Sequence, residues 1–146
     1  MRSAAEQKAD SEKLLVAARV VADRMLHEFG EFLPYGHIMR PDGEIVSVSA
    51  TTGEEEPASK DLISILRDGY RKEAEAGKLL VAAVIYDARV TTPSGPPKKD
   101  AVAFQIDHRD GYSVEVFFPY SLDSAKVVFD PPFAQKGADA IFPRKS

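Results

Sequence analysis

Apolar residues between Ser11 and Gly30 recur three and four positions apart. Leu14, Ala18, Val21 and Met25 fall on one side, with Leu15, Ala22, Leu26 and Phe29 beside them. That spacing predicts an amphipathic helix whose wide stripe lies against a sheet. Asp10 or Ser11 is placed to cap its start and Gly30 to end it. The ten residues before it are polar and read as a flexible N-terminus or the polar start of the same helix.

The pattern then changes to alternation. "LPYGHIMRPDGEIVSVSA" predicts a hairpin turning on Pro41, Asp42 and Gly43. Proline presets the first turn position and glycine accepts the left-handed conformation that closes it. Such a loop pairs Arg40 with Glu44, Ile38 with Val46, and Met39 with Ile45. An acidic loop, "TTGEEEP", leads to a second predicted helix, "PASKDLISILRDGYRKEAEAG". Leu62, Ile65, Leu66 and Tyr70 form its expected buried stripe, and Gly77 its end. "KLLVAAVIYDARV" is apolar at consecutive positions and predicts a central strand covered on both faces. "TTPSGPPKKD" reads as an exposed, mobile connection.

"DAVAFQIDHRDGYSVEVFFPY" contains "HRDGY", which puts a histidine beside an arginine and an aspartate. A two-residue loop would mix apolar and polar side chains on both faces. A three-residue loop of Arg109, Asp110 and Gly111 sets Ile106 opposite Val114, Phe104 opposite Val116 and Val102 opposite Phe118. Asp107 with Ser113 and Gln105 with Glu115 then fall on the other face. Register follows burial, so the stretch predicts a turn rather than an active site. "AKVVFD" predicts a short edge strand. Residues 130–146 lack any period and read as an extended or disordered arm, leaving 11–129 as one domain.

Composition narrows the function classes. The chain has 146 residues, a net charge of -4 and no cysteine. Disulfides, thiolate catalysis and cysteine-based metal sites are excluded. An acidic chain is a poor general ligand for nucleic acid or anionic membranes. No apolar run approaches the roughly 18 residues of a spanning helix. The stretch "MRSAAEQKADSEK" lacks the apolar core of a secretory signal. A cytoplasmic protein is expected.

Candidate chemistry is sparse. His27, His37 and His108 show no metal-ligand spacing, and no phosphate loop or serine elbow is present. No catalytic residue, metal site or cofactor is assigned. Asp107 and Glu115 share a polar face, and Asp87 sits in an otherwise apolar strand, where Arg89 is its expected ion-pair partner. A small-molecule site, if there is one, is expected between helices and sheet near Tyr35, His37 and Tyr120. The arm offers Phe133 and Phe142 as candidate contacts to a partner.

The stretches "YGHIMRPDGEIVSVSA", "VAAVIYDARV" and "DAVAFQIDHRDGYSVEVFFPY" resemble a family of small bacterial proteins with no assigned activity, over roughly residues 30 to 120. The order helix, hairpin, helix, three strands resembles roadblock and profilin-like folds. That second resemblance implies a five-stranded antiparallel sheet flanked by helices, and a tendency to dimerise or bind partners without enzymatic activity. The expectation is therefore an α+β domain with about five mostly antiparallel strands and two packed helices. Its expected role is a non-enzymatic interaction or accessory module of a bacterial cytoplasm, with a protein partner or a homodimer. An immunity-type or secretion-chaperone-like protein that masks its partner is one version, resting on size and acidity. The alternative is a small-molecule-binding domain or small enzyme.

Overall fold

A computed structural model describes residues 1–124 and 126–143. Helix α1 runs from Ala4 to Phe29, seven residues ahead of the predicted start at Ser11. Ser3, not Asp10 or Ser11, is its cap. The Glu6 amide donates to Ser3 Oγ at 3.1 Å and the Ser3 amide to Glu6 Oε1 at 2.9 Å, a reciprocal capping box. The early turns escaped the periodicity because their inward residues, Gln7 and Ser11, are polar yet buried. Leu14, Ala18, Ala22 and Leu26 continue that face, and Gly30 ends the helix in the left-handed conformation at φ 73°.

Strands β1 (Tyr35–Met39) and β2 (Ile45–Val48) pair in the predicted register, Ile38 opposite Val46 and Met39 opposite Ile45. Helix α2 spans Ser59–Glu75 and buries Leu62, Leu66 and Tyr70. Ile65 is 42% exposed, which corrects its place in the stripe. It lies about 100° around the helix from Leu66, outside the row formed by Leu62, Leu66 and Tyr70.

Strand β3 (Val81–Thr92) is central, between β1 and β4 (Gly95–His108). Its first five residues are buried. Strand β5 (Ser113–Asp123) pairs β4 with Val102 opposite Phe118, Phe104 opposite Val116 and Ile106 opposite Val114. Strand β6 (Lys126–Phe129) borders the C-terminal half of β5, and β7 (Phe133–Lys136) borders its N-terminal half. The sheet order is β2-β1-β3-β4-β5-β6 with β7 also on β5, and every pairing is antiparallel.

The fold class is α+β with an antiparallel sheet, but among the described residues the sheet has seven strands rather than about five. The strand with no forerunner in the sequence pattern is β7, recruited from the arm. Four residues carry too little alternation to announce it, and the uncovered edge of β5 supplies the reason it forms. The connection "TTPSGPPKKD" also departs from expectation. It continues the β3–β4 ladder, with Arg89 opposite Asp100, Val90 opposite Lys99 and Thr92 opposite Gly95. The pairing of β4 with β5 begins only at Ala101, so Pro96 and Pro97 owe no amide hydrogen on that side.

The helices lie on opposite faces of the sheet. Val81, Ala83 and Ile85 pack with Leu14, Ala18, Ala22 and Leu26 of α1, whereas Ala82 and Val84 pack with Leu66 and Tyr70 of α2. Alternate residues of one strand point to opposite faces, so β3 serves both cores. Residues after β7 fold back across the α2 side. Ala140 donates its amide hydrogen to Asp107 Oδ2 at 3.1 Å, and Ile141 and Phe142 are buried against the α2 core. The expectation of an extended or disordered arm does not hold for the described residues up to 143. No helix among the described residues is long and apolar enough to cross a membrane.

Candidate functional site

The "HRDGY" turn has the predicted three-residue form. The His108 amide donates to Tyr112 O at 2.7 Å, and Gly111 takes φ 117°. Its polar groups clamp the start of α1. Asp10 Oδ2 lies 2.9 Å from His108 Nε2, and the Asp110 amide donates to His108 Nδ1 at 3.0 Å. Because Nδ1 accepts, Nε2 carries the hydrogen and donates to Asp10. Arg2 binds the same carboxylate through two guanidinium nitrogens at 3.0 and 2.8 Å. Arg2, first, and then His108 hold the Asp10 carboxyl below its ordinary range. Both His108 nitrogens are committed and the ring is fully buried, so it serves the fold.

Tyr35, His37 and Tyr120 do not come together. Tyr35 and His37 are neighbours on β1, their rings meeting edge to face at 5.8 Å. Tyr120 is on β5, three strand spacings away, or about 14 Å. Each hydroxyl is engaged, Tyr35 with Ala18 O at 2.7 Å and Tyr120 with Asp87 Oδ1 at 2.9 Å. His37 is 5% exposed, and its Nδ1 has no hydrogen-bond partner among the described residues. Burial lowers its pKa.

Asp87 is exposed, and Tyr120 rather than Arg89 is its partner. Arg89 turns to the residue directly across the ladder, Asp100, at 3.2 Å. Partial desolvation, and then the acidic neighbours Asp100 and Glu31, raise the Asp87 carboxyl, against the pull of the Tyr120 hydrogen bond.

The second face carries a polar chain. Arg67 donates to Gln105, Gln105 Nε2 lies 3.4 Å from the Tyr86 hydroxyl, and that hydroxyl donates to Glu115 at 3.1 Å. Gln135 of β7 donates to the same carboxylate at 2.9 Å. Burial and the adjacent Glu115 push the Tyr86 hydroxyl up to about 12. Asp107 is buried, and each of its oxygens accepts one hydrogen bond, Oδ1 from the Ser113 hydroxyl at 2.6 Å and Oδ2 from the Ala140 amide. The cavity beside it, lined by Arg67, Gln105 and Asp107, measures about 20 Å3, room for about one water. Phe133 stacks on Phe117 at 5.1 Å, and Phe142 is 6% exposed. Of the two arm aromatics, Phe142 is thus occupied by its own domain.

The feature that sequence reasoning missed lies on the outside of α1. Val16 and Val20, one turn apart in mid-helix, are 64% and 62% exposed. Beside them an open groove of about 440 Å3 runs between α1 and β6, walled by Leu15, Val127 and Phe129. A second groove of about 310 Å3 continues it toward the helix start, over Ile106, Val114 and Val116. Arg19 lies across the groove wall, its guanidinium 4.2 Å from the Phe118 ring centre and 4.7 Å from that of Phe129. The signal was present as Val16 and Val20 lying off the predicted stripe. No known protein family, curated protein or solved structure matches the chain.

Proposed function

We propose that the chain is a non-enzymatic protein-interaction module whose docking surface is the outer face of α1 with the grooves beside it. The observation that carries this is the exposure of Val16 and Val20 directly next to an apolar groove. Paired aliphatic residues at the centre of a solvent-facing helix, bordered by further apolar walls, mark a contact surface. The opposite expectation, an enclosed pocket with converging polar groups, finds less support. The cavity between α2 and the sheet accommodates about one water, and the three residues expected around a ligand are spread over two distant strands. The bacterial setting rests on the resemblance of the strand and turn stretches alone.

Native mass spectrometry of gently purified chain tests the reading. An assembly, or a chain with nothing bound, is expected. Val16→Glu with Val20→Glu should leave the fold intact and disperse any assembly. A reproducible extra small-molecule mass on the folded chain would overturn the reading in favour of a ligand-binding domain.

A further inference from the structure

We propose that residues 137–143 are a displaceable strap over a peptide-binding groove on the α2 face of the sheet. With the strap lifted, the groove takes an extended segment of a partner protein that carries an aliphatic–aromatic pair like Ile141–Phe142. This site lies across the sheet from the α1 surface and stands independently of it.

Where β4 pairs β5, one face carries Val102, Phe104, Ile106, Val114, Val116 and Phe118, all packed toward α1. The other face carries Gln105, Asp107 and Ser113 beneath the strap. Such alternation belongs to an antiparallel sheet with one face in water. The strap nevertheless leaves Asp107 only 8% exposed. Covering a carboxylate is unfavourable unless hydrogen bonds replace the lost water. One of the two it accepts comes from Ser113 within the sheet. The other, from the Ala140 amide, exists only while the strap is docked. The face is thus composed for an open state as well as a closed one.

The strap's polar contacts are made through its backbone. The Gly137 amide donates to Ser113 O at 3.2 Å, the Asp139 amide to Ser113 Oγ at 3.0 Å and the Ala140 amide to Asp107 Oδ2 at 3.1 Å. Arg71 Nε donates to Ala140 O at 2.9 Å. Any extended backbone offers the same donors and acceptors. Residue-specific contact comes from Ile141 and Phe142, 7% and 6% exposed in the cluster with Leu66, Tyr70 and Val84. Main-chain hydrogen bonds for affinity and side-chain pockets for choice are the division of labour in peptide recognition.

The resident strap fills the groove incompletely. A cavity of about 20 Å3 remains beneath it among Arg67, Gln105 and Asp107. Its entry is tight, since a Cβ at Gly137 would stand 2.2 Å from Ser113 Oγ and 2.7 Å from Val114 N. Asp139 takes φ 52°, a left-handed conformation that side chains rarely adopt. A segment arriving from another molecule is free of the tether to β7. The tether in turn gives the strap an effective concentration in the millimolar range. The groove is therefore closed in the free chain and opens to a segment that binds more tightly than that.

The chain has no cysteine, so a single introduced thiol reports opening. Ala82 lines the cavity beneath the strap, and the next residue of β3, Ala83, faces the α1 core; both are buried. Labelling by a thiol reagent is timed on the full chain carrying Ala82→Cys or Ala83→Cys, each with and without Phe142→Ala. Ala82→Cys should label at least about 10-fold faster than Ala83→Cys, which waits for global unfolding. Phe142→Ala should widen that ratio on the order of 10-fold. A synthetic peptide of residues 137–143, at millimolar concentration, should then slow labelling of Ala82→Cys in the Phe142→Ala background. The same peptide with alanine in place of Ile141 and Phe142 should not. Circular dichroism checks each fold, and Val84→Cys, which lines the same cavity, replaces Ala82→Cys if that variant fails to fold. Equal labelling at the two positions, or a ratio that Phe142→Ala does not move, would show that the strap opens only with the whole fold and would overturn the proposal. A widened ratio with no protection by the peptide would overturn the groove as a peptide site. Either failure leaves the reading of the α1 surface untouched.

Discussion

Tyr120 on β5 donates its phenolic hydrogen to Asp87 on β3 across 2.9 Å, reaching over the intervening strand β4. The Asp87 carboxyl is raised, so the folded state holds a proton that the unfolded state releases between the ordinary and the raised values. Its ionisation therefore opposes folding once pH rises through the folded value. Asp87→Asn keeps an acceptor for Tyr120 and should be neutral to slightly stabilising at pH 7, by well under about 1 kcal/mol, because the site is exposed. Denaturant melts at pH 7 and pH 3 check this; a marked loss at pH 7 would show that the charge itself is needed.

Gly36 lies beneath Tyr70, and a Cβ at that position would stand 1.7 Å from the Tyr70 hydroxyl oxygen and 3.3 Å from Ala83 O. The same hydroxyl donates to Ala83 O at 2.8 Å. Gly36→Ala should destabilise the fold by about 2–4 kcal/mol, through overpacking and the lost hydrogen bond. Adding Tyr70→Phe should recover part of that loss, and a double-mutant cycle measures the coupling. Additive effects would mean that the clash is relieved elsewhere.

Asp10 satisfies both the buried His108 and Arg2. Asp10→Ala strands a fully buried ring N–H and should cost about 1–3 kcal/mol. Its carboxyl is lowered in the folded state, so its contribution is present above the ordinary carboxylate value and lost as pH falls through the lowered one. Stability curves of the native chain and the variant should converge in strong acid.

His37 gives the opposite acid response from a raised histidine. Burial lowers its pKa, so the unfolded chain takes up a proton that the folded chain refuses. Stability should fall as pH drops through the unfolded value, about 6.5. His37→Phe removes that dependence and the unpaired Nδ1 together, and should flatten the stability profile between pH 7 and pH 5. An unchanged slope in urea titrations would assign the acid sensitivity to another group.

Turns and central strands were legible because their signals are local. Gly43 and Gly111 with their neighbours fixed both registers, and the unbroken apolar run marked β3 as central. What escaped depends on distant partners. Gln7 and Ser11 look like surface residues until the β4–β5 turn is placed against them, as when the Tyr112 amide donates to Gln7 Oε1 at 2.9 Å. Strand β7 and the buried Phe142 likewise need the finished sheet to define their places. Asp87 chose Tyr120 over Arg89 because the residue across a ladder, Asp100, is a nearer partner for Arg89 than its own second neighbour. The α1 outer face escaped because single exposed valines are ordinary on a helix surface, and Val16 and Val20 gain meaning only beside the groove that β6 completes.

The clamp between α1 and the "HRDGY" turn also sets an order of events. Asp10 and His108 are 98 residues apart, and Gln7 and Tyr112 are 105 apart. During synthesis α1 leaves the ribosome first, but the turn that fastens its first half leaves about a hundred residues later. High sequence separation of this kind slows folding and prolongs the time an apolar helix face stays uncovered. The nascent chain thus carries Leu14, Ala18 and Leu26 in the open until β4 and β5 close, a window in which a chaperone or a wrong neighbour could take them. Fragments ending before residue 108 should bind a hydrophobic dye more strongly than the full chain, whose own exposed apolar surface is the outer face of α1.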